Sequence, residues 1–157
     1  MGEQPFVVYA PLVKSVEVPL EADAAFELFT TGIARWWPLA THSVEQERAE
    51  GCEFEAGVGG RIYERAGSGI EHEWGRVLEW EPPTRVVYTW YPGRDERTAQ
   101  FVEVTFAATD DSKTKVELTH RGWETLGNAA QAQRDNYGGG WELVLGAYVE
   151  LTNDSVP

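Results

Sequence analysis

From Cys52 to Arg121 the sequence is a succession of six strand-like segments joined by short loops, and no helical period interrupts them. They run Cys52 to Ala56, Gly60 to Arg65, Glu71 to Trp80, Thr84 to Tyr91, Gln100 to Thr109 and Lys113 to Arg121. The separators carry turn chemistry: Gly57-Val58-Gly59-Gly60, Gly67-Ser68-Gly69, Pro82-Pro83, Pro92-Gly93 and Asp110-Asp111-Ser112. Glycine supplies positive φ and proline a preset one, so these places reverse the chain. Parallel pairing needs a crossover of about a dozen residues. The spacing therefore predicts an antiparallel meander.

The flanks supply its partners. Val13 to Leu20 alternates as a further strand with Val16 and Val18 on one face. Ala22 to Thr30 reads as a helix anchored by Phe26 and Phe29, and a second short helix near Ile33 to Trp37 stops at Pro38. At the far end, a helix over Gln133 to Asn153 aligns Tyr137, Trp141, Val144, Leu145, Tyr148 and Leu151 on one stripe that must be buried on the sheet. Gly138, Gly139, Gly140 and Gly146 each weaken that helix by about 1 kcal/mol relative to alanine, which predicts a kink or a closely passing neighbour. The fold class is α+β: a curved antiparallel sheet of about six to seven strands around a long C-terminal helix, with two short helices after the first strand. One domain, 1–157 with a core of about 13–153, accounts for the length.

Composition excludes several partners. The net charge of −13 repels nucleic acid, and no cluster of Lys and Arg offers a local exception. No apolar run approaches a membrane span. The stretch Phe6 to Ala10 has no basic residue before it and is bracketed by Pro5 and Pro11, which is not a signal peptide's layout. Phe6 also stands where a myristoylation signal needs Ser or Thr. A single cysteine, Cys52, rules out an intrachain disulfide and suits a reducing compartment, so the chain is read as cytoplasmic. Three histidines and one cysteine form no zinc spacing, and no cofactor is implied.

Seven Trp, six Tyr and six Phe are difficult to pack solidly under one curved sheet, which points to an aromatic-lined pocket. Alternation places Val86, Tyr88 and Trp90 on one face of their strand, and Trp74, Leu78 and Trp80 on one face with Arg76. Val102, Val104 and Phe106 line another, followed by Val116, Leu118 and His120. His120 thus faces the apolar side, either as a core imidazole bonded to a backbone carbonyl or water, or as a ligand contact. Trp36 and Trp37, just before Pro38, and Trp141 read equally as core or as pocket rim. The candidate ligand-binding residues are Trp36, Trp37, Glu64, Trp74, Tyr88, Trp90, His120 and Trp141. No nucleophile elbow, dinucleotide fingerprint or phosphate loop is present. In Glu71-His72-Glu73 alternation puts the imidazole opposite both carboxylates. No catalytic residue is assigned.

Several segments resemble the START-like (SRPBCC) superfamily, and within it proteins similar to the activator of heat-shock protein 90 ATPase. They are Gly59-Gly60-Arg61-Ile62-Tyr63-Glu64-Arg65, Glu73-Trp74-Gly75-Arg76-Val77-Leu78-Glu79-Trp80-Glu81-Pro82-Pro83, the run from Arg85 to Trp90, Leu118-Thr119-His120-Arg121-Gly122-Trp123 and Gly140-Trp141-Glu142-Leu143-Val144-Leu145. The resemblance implies a helix-grip fold with a hydrophobic cavity, and brings no catalytic set with it. Three functions follow as expectations. The first is binding of a small apolar or aromatic molecule between the C-terminal helix and the sheet. The second is a cyclase or hydrolase using His120 or Glu64 in that cavity. The third is a chaperone-associated module acting on an ATPase partner. Oligomeric state is left open.

Overall fold

The computed structural model describes residues 9–154, so the Phe6 to Val8 part of the N-terminal apolar stretch lies outside it. Seven strands form one antiparallel sheet: β1 (Leu12–Val18), β2 (Ala49–Phe54), β3 (Arg61–Ala66), β4 (Glu71–Glu81), β5 (Arg85–Trp90), β6 (Gln100–Ala108) and β7 (Thr114–Arg121). Their spatial order is β1-β7-β6-β5-β4-β3-β2. The meander is as predicted, and the first strand closes it by pairing with the last, Leu12 opposite His120 and Val18 opposite Thr114.

β1 and β2 therefore occupy opposite edges, and the chain between them must cross the whole sheet. Helix α1 (Ala22–Phe29) and single 3-10 turns at Ile33–Arg35 and Gln46–Arg48 make that crossing. The second short helix of the sequence reading is the first of these 3-10 turns. Helix α2 (Ala130–Asp154) lies in the curve of the sheet. It starts three residues earlier than its periodicity suggests and is led in by a 3-10 segment, Trp123–Ala129.

The core is the contact between the α2 stripe and the concave face. Trp141, Val144, Leu145 and Tyr148 are buried against Val102, Val104 and Phe106 of β6 and Val116 and Leu118 of β7. Burial of each such side chain contributes about 1.5–3 kcal/mol. Among the described residues no helix is long and apolar enough to cross a membrane.

Alternation fails in β4, and the reason is two bulges. The pairing register shifts against β3 between Ile62 and Tyr63, and against β5 between Val77 and Glu79. Each bulge adds one residue and reverses the inward phase. Trp74 and Val77 are accordingly buried, Arg76 is exposed beside Glu73 at 3.0 Å, and Leu78, expected to point inward, is 44% exposed. Gly75 sits at the first irregularity because a Cβ there would lie 1.8 Å from the Thr89 carbonyl oxygen.

Candidate functional site

The short segment after α1 sets the first wall of a cleft. Trp37 donates its Nε1 hydrogen to the His42 carbonyl at 2.7 Å, and the His42 amide returns to the Pro38 carbonyl at 2.9 Å, so Trp37 to His42 closes on itself. Beyond it, the Val44 and Glu45 amides donate to the two oxygens of Glu64, at 2.6 and 3.0 Å. Trp74 Nε1 completes the set at 2.6 Å. Glu64 is fully buried on β3, and three N–H groups hold it. A carboxylate so surrounded ties the crossing segment to the sheet across about twenty residues of sequence. A second tie lies beside it: His72 Nε2 is 2.7 Å from Glu45 Oε2.

The second wall is the N-terminal half of α2, and the end of β5 with its Pro92-Gly93 turn forms the base. Together they enclose a cleft of about 680 Å³ lined by Trp37, Trp90, Tyr137 and Trp141, with His42, Ser43 and Val44 along one rim. That volume suits a drug-sized molecule. The rings brace one another: Trp90 and Trp141 centroids are 5.5 Å apart, Trp37 and Trp90 5.9 Å, and Tyr137 and Trp141 stack at 6.2 Å. Such spacings are those of favourable aromatic pairs.

No neighbour passes close to the glycines of α2, contrary to one of the two sequence expectations. Helix α2 is uninterrupted, and a Cβ on Gly138, Gly139, Gly140 or Gly146 would meet nothing within 4 Å. Gly139 and Gly140 line the cleft, where the absence of side chains keeps its wall low.

Of the eight candidate residues, Trp37, Trp90 and Trp141 line the cleft. Trp36 turns away, packing on Tyr148 at 5.0 Å and bonding the Leu28 carbonyl. Trp74 lies beneath Trp37 at 5.0 Å, with its indole on Glu64. Tyr88 packs on Phe54 and Trp90, and complete burial pushes its phenol well above the ordinary value. Glu64 touches the cleft only by holding Val44. Tyr137, Ser43 and the two glycines were not singled out as site residues. Tyr137 was legible as the stripe position one turn before Trp141, whereas nothing in the sequence marked Ser43.

His120 sits behind the α2 wall, fully buried, stacked on Trp123 at 4.0 Å and edge-on to Tyr137. Gly122, at φ 88°, makes the left-handed exit from β7 that brings Trp123 over the imidazole. An indole N–H only donates, so Trp141 Nε1, 2.9 Å from His120 Nδ1, finds that nitrogen unprotonated. Nε2 then carries the hydrogen and donates to Gln100 Oε1 at 3.1 Å, while the Gln100 amide donates to the Thr98 carbonyl at 2.7 Å. Both ring nitrogens are engaged, and burial pushes the imidazole pKa down to about 3. In this arrangement neither nitrogen is free to move a substrate proton.

Cys52 is inert for a related reason. Burial, followed by the charges of Glu64 and Glu53, pushes its thiol up to about 12.

Two buried side-chain polar atoms among the described residues have no hydrogen-bond partner: Trp90 Nε1 and Ser43 Oγ. The Tyr137 hydroxyl comes near enough to the Trp90 indole to feel its N–H, but falls outside hydrogen-bonding geometry. Each such group costs about 1–3 kcal/mol when left dry.

Comparison with known proteins places this geometry. The family model described as "Activator of Hsp90 ATPase homolog 1-like protein" matches residues 19–151. Among solved structures, an anthrahydroquino-gama-pyrone synthase complexed with SUM is 36% identical, with TM-score 0.58, over 80% of this chain and 84% of its own. The self-sacrificing resistance protein CalC from Micromonospora echinospora is 24% identical, with TM-score 0.66, over 93% and 96%. An HSP90 activator from Plasmodium falciparum is 23% identical, with TM-score 0.53, over 72% and 73%. The last two speak for the fold alone. No curated protein matches the chain.

Proposed function

The chain belongs to the Activator of Hsp90 ATPase homolog 1-like family, and on that premise we propose that it holds a small apolar or aromatic molecule in the cleft between α2, the end of β5 and the Trp37 to Val44 segment. The observation that carries the reading is a cleft of about 680 Å³ walled by four large rings, two of them buried against the core. Ring burial would supply affinity, and the few polar atoms at the rim orientation. The 36% identical synthase, solved with SUM bound, supports a small-molecule site on this fold.

The glycines give a test with opposite signs for fold and function. Gly140→Leu replaces a poor helix former with a good one, for a gain of about 1 kcal/mol. The new side chain meets no backbone, but stands in the cleft. The expected outcome is an unchanged or raised melting temperature with at least about tenfold weaker binding of polycyclic aromatic probes. Thermal-shift and fluorescence titrations check both. Undiminished probe binding by the variant would count against the cleft as the site.

A second reading, catalysis on the held molecule, is favoured by that relative being a synthase. The imidazole at the cleft is His42, whose Nδ1 lies 2.8 Å from Thr41 Oγ1. Mass spectrometry of each bound probe after incubation decides it, since quantitative recovery of unchanged probe removes this reading. The chaperone-associated role has only the family description behind it, and recovery of no chaperone in a pull-down from the native host would remove it.

A further inference from the structure

The three histidines of the chain are engaged differently. His120 has both ring nitrogens bonded, on Trp141 and Gln100, and His72 commits Nε2 to Glu45. His42 lines the cleft and is partly exposed, and three of its four polar groups are held. Its carbonyl accepts from Trp37 Nε1 at 2.7 Å, its amide donates to the Pro38 carbonyl at 2.9 Å, and its Nδ1 lies 2.8 Å from Thr41 Oγ1. The Thr41 hydroxyl has one hydrogen, which goes to the Pro38 carbonyl at 3.4 Å. Oγ1 therefore accepts from Nδ1–H, which leaves Nε2 with a bare lone pair. Among the described residues nothing donates to it. With the backbone pinned at both amide and carbonyl and the ring held on Thr41, this acceptor is in place before anything binds.

We propose that the molecule held in the cleft carries a phenolic hydroxyl, and that this hydroxyl donates to His42 Nε2. This rests on the cleft being the ligand site. A bare lone pair needs a hydrogen, so a ring ketone, an ether or a carboxylate, each of which only accepts, leaves Nε2 as it was. A carboxylic acid is such a carboxylate at neutral pH, whereas a phenol, ionising at about pH 10, still holds its hydrogen there. An ammonium does carry hydrogens, but brings a full charge into a lining that, among the described residues, has no Asp or Glu to pair with it. A phenol is thus a strong donor that enters uncharged. Its ring is a body that Trp37 and Tyr137, both partly exposed, can pack on, while its hydroxyl stays at the rim with His42.

The probes are 2-naphthol and 2-methoxynaphthalene, which share a ring system and an oxygen and differ in whether that oxygen carries a hydrogen. An apolar cleft without an acceptor favours the ether, which gives up fewer hydrogen bonds on leaving water. Titration of the intact protein at neutral pH, followed by probe fluorescence, is expected to give the opposite order, with the naphthol bound about fivefold tighter. In His42→Phe that preference should vanish or reverse. The ratio is read because His42 is part of the wall, so either affinity alone can move. If the variant fails to fold, the imidazole ¹⁵N spectrum of the unaltered protein serves instead, the Nε2 signal of His42 shifting with the naphthol and not with the ether. Equal or weaker binding of the naphthol, a ratio that His42→Phe leaves in place, or an Nε2 signal that answers alike to both probes overturns the role of His42 and leaves the aromatic cleft standing. Binding of neither probe overturns the cleft reading, and this proposal with it.

Discussion

Glu64→Ala is expected to destabilise the fold by about 4 kcal/mol, because three N–H donors would lose one shared acceptor in a dry interior. The Val44 and Glu45 amides and Trp74 Nε1 all end on this carboxylate, which has no exposure to water of its own. Alanine leaves a gap beside them too small to restore full hydration. Glu64→Gln separates charge from shape. With the amide oxygen at the Oε1 position it keeps the Val44 and Trp74 bonds and turns its NH₂ towards the Glu45 amide, so a loss of about 1–2 kcal/mol is expected. Urea unfolding of both variants measures the difference. The damage should also be local, since hydrogen exchange at the Val44 and Glu45 amides is expected to accelerate more than exchange in β6. Val44 lines the cleft, so probe affinity should fall with it. A loss below about 1 kcal/mol in Glu64→Ala would show that the carboxylate is not the anchor of the crossing segment.

The same carboxylate marks where sequence reasoning stops. Strand number, the antiparallel order, the α2 stripe and the inward face of β6 and β7 through His120 all follow from periodicity and turn residues, which are local signals. Glu64 was a candidate for the pocket, but two of its three partners lie nineteen and twenty residues earlier, in a segment with no periodicity. Nothing local announces such a contact. The β4 error has the same origin. A bulge is set by two neighbouring strands together, and Trp74, Val77 and Leu78 cannot be phased from their own strand. The α2 glycines were visible, but their reason was not. Helix propensity says what a glycine costs, and only the cleft beside Gly139 and Gly140 says why an empty position has a use there. Likewise, the excess of rings pointed to a pocket, but which of them are braced within the core and which face open space depends on how the crossing segment docks.

Acidification from pH 7 to pH 5 is expected to remove about 2 kcal/mol of stability through His120 alone. Burial disfavours the charged imidazole and holds its pKa down to about 3. In the unfolded chain an ordinary imidazole protonates near pH 6.5. Between those values the unfolded chain binds a proton that the folded one refuses. The contribution is therefore complete above about pH 6.5 and declines by about 1.4 kcal/mol per pH unit as pH falls towards 3. Carboxylates enter later. Glu79, Asp95 and Glu142 are held below the usual range by hydrogen bonds from the Arg85 side chain, the Arg97 backbone and the Lys14 side chain, so their losses fall below about pH 4.5. The interval from pH 6.5 to 5 thus isolates the imidazole when the unaltered protein is compared with His120→Gln, which retains His42 and His72. Glutamine can accept from Trp141 and donate to Gln100, so the variant should fold with lower stability at pH 7 and a slope flatter by about 2 kcal/mol between pH 7 and pH 5. Urea unfolding at three pH values resolves this, and parallel slopes would refute the sealed imidazole. Protonation of Nδ1 also removes the acceptor for Trp141 Nε1, the bond that fixes one wall of the cleft. The folded chain takes that proton only near pH 3, so affinity for the polycyclic aromatic probes is expected to hold from pH 7 to pH 5, where the protein loses stability but keeps this bond.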